Sequence, residues 1–181
     1  MSPAPYQVTH SKTSNDFYFV TDSGVTYNIY FDSSYPLLPN EFLDRYSLFM
    51  GFRCNPPDGN GYDPRVGPTI TLIIGNILKS NKRYIITYFC SGQGGHERAR
   101  SILFERWYRN SPLVEKIAHK QKKNVNNYFG ALYSKKHPEL EAIESTFYEF
   151  DLSQKYPEET EVHEEIENGE EDNFESDFLF S

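Results

Sequence analysis

Apolar residues fall in short blocks along this chain, and their spacing switches between two and three to four. Phe17–Thr21 (FYFVT) and Val25–Phe31 (VTYNIYF) are rich in aromatic and β-branched residues and flank Asp22-Ser23-Gly24. That pattern predicts a β-hairpin in which Gly24 supplies the turn backbone. Tyr46–Arg53 (YSLFMGFR) predicts a third strand, and the CNPPDGNGYDP that follows reads as a loop.

Arg65–Asn81 contains enough β-branched residues to suit a strand. Its apolar positions 66, 70, 73, 74 and 77 nevertheless share one helical stripe, and Pro68 suits a first turn, so a helix is predicted. Arg83–Cys90 (RYIITYFC) has the continuous apolarity of a strand covered on both faces. His96–Arg109 predicts a second helix, with Ala99, Ile102, Leu103 and Trp107 on one face and Phe104 at its edge. Arg98, Ser101, Glu105 and Arg109 project opposite.

The segment SPLVEKIAHKQKK reads as the start of a further short helix, capped by Ser111 with Pro112 in its first turn. NNYFGALYS predicts a strand, and HPELEAIESTFYEF a final helix. The expected fold class is α+β: a three-stranded antiparallel β-meander followed by α-β-α-β-α. Residues 1–16, polar with Pro3 and Pro5, read as a flexible N-terminus, residues 17–152 as one domain and residues 153–181 as a disordered acidic tail.

Charge sharpens that division. Pro157–Ser181 carries 11 Asp/Glu and no Lys or Arg, which leaves 18 basic against 15 acidic residues in 1–156. Such a tail has too little apolar surface to offset its ordering entropy. Phe174, Phe178, Leu179 and Phe180 interrupt its acids, and read either as a docking motif for a protein partner or as a spacer.

Arg98–Lys136 holds ten Lys/Arg against Glu105 and Glu115, interleaved with Trp107, Tyr108, Tyr128, Phe129 and Tyr133. A surface of Arg98, Arg109, Lys120, Lys122 and Lys123 suits nucleic acid. It equally suits solvated helix faces, or a seat for the acidic tail as internal competitor.

Cys54 and Cys90 match no metal-ligand spacing, so no metal is expected. The N-terminus lacks a signal-like apolar run, and TITLIIGNIL is about half of the ~20 residues that span a membrane. A cytoplasmic protein without membrane contact is the expectation. No GxSxG or HExxH occurs, the five His are dispersed, and the residues leave open whether this is an enzyme.

Two strand-to-helix junctions are candidate anion sites. In DPRVGPTI, the first-turn amides with Arg65, Gly67 and Thr69 form one, although Pro68 removes a donor. In SGQGGHERAR, His96 and Arg100 lie four apart on the apolar side of the helix. An arginine there needs either a carboxylate such as Asp63 or a bound anion.

Tyr88, Cys90, Arg100, Phe104 and Trp107 form a Tyr-x-Cys strand end followed by a helix with Arg and Phe-x-x-Trp. In this, residues 17–150 resemble a family of short uncharacterised bacterial proteins. More distantly, the chain is similar to the GCN5-related N-acetyltransferases, in which a strand leads through a Gly-rich loop into a helix that binds the acetyl-CoA pyrophosphate. That resemblance makes RVGPT the loop and LFER (Leu103–Arg106) a second family run, and implies acetyl-CoA as ligand. Without it, the residues predict a binding or regulatory module with no cofactor. Phe104 stands where the family places its acid tyrosine, with Tyr108 one turn further on.

Overall fold

The hairpin predicted around Gly24 forms, in a computed structural model that describes residues 3–14, 16–33, 38, 40–57, 61–90, 95–124 and 127–149. Gly24 takes φ 84°, and the Thr21 hydroxyl accepts from the Val25 amide at 3.0 Å. Strands β1 (Thr9–His10), β2 (Phe17–Val20), β3 (Thr26–Asp32) and β4 (Ser47–Asn55) follow one another antiparallel. The meander is thus one strand longer than expected. Its extra strand comes from the segment read as flexible, which also buries Tyr6 against Phe19 in a stacked pair 5.7 Å apart.

Between β3 and β4, the single turn α1 (Glu41–Asp44) is capped by the Asn40 side chain, which accepts from the amides of Phe42 and Leu43. Helix α2 (Val66–Ser80) then carries the chain back, so that β5 (Ile85–Cys90) lies parallel to β4. After α3 (Glu97–Arg109) and a 3₁₀ turn at Pro112–Glu115, the hairpin β6 (Ile117–Asn124) and β7 (Asn127–Ser134) leads into α4 (Leu140–Glu149). The seven strands lie in the order β1-β2-β3-β4-β5-β7-β6, leaving β1 and β6 as edges.

Alternation along the strands divides the core in two. Phe19, Ile29, Met50, Ile86 and Tyr88 meet Ile70, Ile73 and Ile74 of α2, together with α3. On the opposite face Ile85, Phe129 and Tyr133 meet Ile143 and Phe147 of α4. Successive residues of β5 serve opposite cores, which is why that strand is apolar throughout. Each fully buried isoleucine contributes about 1.5–3 kcal/mol, so the α2 stripe is a principal support of the fold.

Two expectations change. Ile117–Asn124 is a strand where the helix starting at Ser111 was expected to continue. Only its prefix keeps the helical reading, with Ser111 accepting from the Leu113 amide. In β6, Ile117, His119 and Gln121 alternate with Ala118, Lys120 and Lys122, a period of two that the Lys content masks.

The buried face of α3 is also rotated. Ser101, Phe104 and Trp107 are buried while Ile102 is 48 % exposed. Trp107 is buried as predicted, and the large rings of Phe104 and Tyr108 on its other side draw the face away from Ile102.

Candidate functional site

Strands β4 and β5 pair over three rungs only, Ser47, Leu48 and Phe49 against Ile85, Ile86 and Thr87. Beyond them the strands part. Met50–Asn55 stays paired to β3, and Tyr88–Cys90 to β7. Among the described residues, no backbone hydrogen bond joins these two diverging segments. A cleft of about 480 Å³ opens there, walled by Met50, Phe52 and Cys54 on one side and by Tyr88 and Cys90 on the other. Phe104 and Arg100 of α3 complete it.

The cleft chemistry is apolar with a cationic edge. Phe104 stacks on Tyr88 with centroids 4.6 Å apart, and Arg53 lies over the Tyr30 ring at 5.5 Å. Burial pushes the Cys90 thiol up to about 12, against the opposing pull of Arg100. Cys90 is therefore a protonated thiol at neutral pH rather than a nucleophile. The Cys54 sulfur donates to the Pro57 carbonyl at 3.2 Å.

Behind the Tyr88 wall runs a buried polar chain. The Tyr88 hydroxyl meets His119 Nε2 at 2.6 Å and accepts from Gln121 Nε2 at 2.7 Å. His119 Nδ1 lies 2.6 Å from a Glu105 oxygen, and Glu105 also accepts from Arg109. Burial lowers the His119 proton affinity more than Glu105 raises it. Burial alone would raise Glu105, but the Arg109 hydrogen bond and the His119 ring hold it below its ordinary value. This assigns a neutral imidazole with Nδ1–H donating to Glu105 and Nε2 accepting from Tyr88. Burial also raises the Tyr88 phenol, which therefore stays protonated at neutral pH as it forms this wall.

Of the predicted anion-site residues, only Arg100 lines the cleft. His96 is the half-buried N-cap residue of α3 and makes no side-chain cap hydrogen bond. Arg65 bonds to Asp22 at 2.9 Å and to the Ala4 carbonyl at 2.9 Å, and its guanidinium lies over Tyr6. The Thr69 hydroxyl accepts from the Tyr6 amide and donates to the Arg65 carbonyl. Asp63 accepts from the Arg65 amide and the Tyr6 hydroxyl, so a carboxylate of the chain itself sits at the start of α2. Gly67 faces the Trp107 ring so closely that a Cβ would overlap it.

The basic residues do not share one face. Lys120 pairs with Glu144 of α4, and Lys122 stands opposite Phe129 on that side of the sheet. Lys123 lies over Tyr128 on the α3 side, where Arg109 bonds Glu105 and Arg98 is exposed. Phe174, Phe178, Leu179 and Phe180 lie outside the described residues.

Among the described residues, no His, Cys, Asp or Glu cluster could hold a metal ion, and no helix is long and apolar enough to cross a membrane. No protein-family model, curated protein or solved structure matches the chain. The succession β4-α2-β5-α3 on a meander loosely resembles acetyltransferase topology.

Proposed function

We propose that this protein is a binding module of acetyltransferase-like topology whose ligand enters the cleft between β4 and β5. The observation that carries this reading is the divergence of two parallel strands after three rungs. Facing segments of unjoined backbone suit an extended chain that brings its own amides, since such a chain can pair with both walls as an added strand does. The arm of an acyl-CoA-type ligand, apolar and broken by amides, has that character. Arg100 and Arg53 offer its anionic groups charge at the edge.

Two features argue for binding without the family's transfer chemistry. Phe104 has no proton to give, and the Tyr108 hydroxyl donates to the Ile117 carbonyl at 2.8 Å. The start of α2 already holds Asp63, so the nucleotide end of the ligand gains little there. Acetyl-phosphopantetheine, which keeps one phosphate for the arginines but lacks the nucleotide, should then bind within about tenfold of acetyl-CoA, a difference of about 1.4 kcal/mol.

Calorimetric titration with acetyl-CoA, CoA and acetyl-phosphopantetheine tests this. Saturable binding that Arg100→Ala weakens supports it. Absence of binding by all three at millimolar concentration removes it.

A further inference from the structure

A second concavity, sharing no residue with the cleft, lies where α2, α3 and the N-terminal segment meet. It measures about 520 Å³ and is lined by Tyr62, Leu72, Trp107 and Leu113 among several prolines. Leu72 and Tyr62 are 44 % and 58 % exposed, unusual for large apolar side chains packed around a common groove. None of the lining residues is Asp or Glu, whereas Arg106 and Lys116 both contribute. Neither cation has an ion-pair partner among the described residues. The groove therefore asks for a ligand that is aromatic or aliphatic and negatively charged.

We propose that it receives this chain's own residues 173–181, NFESDFLFS. Phe174, Phe178, Leu179 and Phe180 supply the apolar groups, and Glu175 and Asp177 face the cationic rim. Composition favours this occupant: residues 157–181 contain 11 acids and no base, while the groove is lined by no acid and by two cations without an ion-pair partner among the described residues. Reach permits it. The 23 residues between Glu149 and Asn173 can extend to roughly 80 Å at ~3.5 Å each. A folded body of ~150 residues has a radius of gyration of only about 15 Å. Tethering adds an effective concentration of about millimolar, so an intrinsically weak contact fills the groove in cis.

Trp107 is the sole tryptophan and lines the groove, so its emission reports occupancy. The test uses the full chain and its Phe178→Ser/Leu179→Ser/Phe180→Ser variant, in which the proposal expects red-shifted emission and faster acrylamide quenching. Synthetic NFESDFLFS titrated into that variant should restore the wild-type spectrum. Its affinity should fall with added salt, and by about tenfold or more when Arg106→Glu and Lys116→Glu are combined. Identical spectra for the two chains, with no response to peptide, overturn the proposal. A spectral difference that varies with protein concentration overturns the assignment in cis and places the segment in a second copy. Because the readout is Trp107 and not ligand titration, this proposal and the cleft reading can fail separately.

Discussion

The Arg65 guanidinium lies 3.8 Å from the centroid of the Tyr6 ring, and the Tyr6 hydroxyl donates to Asp63 at 2.7 Å. One aromatic residue of the N-terminal segment thus satisfies both charged groups at the start of α2. Tyr6→Ala should cost about 3 kcal/mol in urea unfolding, through lost burial and cation–π contact. Tyr6→Phe keeps the ring and should cost about 1 kcal/mol, the worth of the hydroxyl's hydrogen bonds. A cost within 0.5 kcal/mol for Tyr6→Ala, on the order of an ordinary surface substitution, would show the segment to be unanchored.

Gly67→Ala sets two opposing effects against each other. Alanine gains about 0.5–1 kcal/mol over glycine inside a helix. The added Cβ, however, overlaps the Trp107 ring, and displacing a packed indole costs about 1–3 kcal/mol. Net destabilisation with altered Trp107 emission is expected in a thermal melt followed by fluorescence. Stabilisation would mean that the ring yields freely.

Stability should fall on acidification from pH 7 to 5. The folded protein holds His119 below its ordinary value, so the unfolded chain binds more protons once pH drops through about 6.5. The lowered Glu105 carboxyl acts in the same direction at still lower pH, below about 4.5. Denaturant midpoints measured across this range should fall with pH, and His119→Gln should flatten the upper part of the curve. A midpoint that rose between pH 7 and 5 would mean that the Glu105 ion pair outweighs burial.

Cys90 should resist iodoacetamide at pH 7.5 while Cys54 reacts. The first thiol is buried and protonated, and the second is half-exposed. Mass spectrometry of the native protein after brief labelling distinguishes them, and unfolding should abolish the difference. Rapid labelling of Cys90 would place solvent deeper in the cleft than its walls indicate.

Strand alternation and the α2 stripe were legible because period and burial agree there, as at Phe19, Ile29, Ile70 and Ile74. The face of α3 was legible at Trp107 but not at Ile102, since counting apolar letters draws Ile102 inward while the packing of Phe104, predicted only at the edge, turns it out. The role of Tyr6 was hidden by its polar, proline-containing surroundings, and its partner Asp63 is 57 residues away. The cleft was the least legible part. Cys54 and Cys90 come to line one cleft only through a parallel crossover, whose register leaves no local signal. Arg100 stood out in the sequence because a cation inside an apolar arc needs a counterpart, and it lines the cleft.

The sheet's outer margins are poor templates for another chain. One margin is the two-residue β1, and the other is β6, where Lys120, Lys122 and Lys123 repel an apolar newcomer. Among the described residues, an unjoined stretch of main chain lies indoors, between β4 and β5. Met50–Asn55 and Tyr88–Cys90 are each paired on their outer side only, so the kind of open edge that other sheets carry at the rim is carried inside this one.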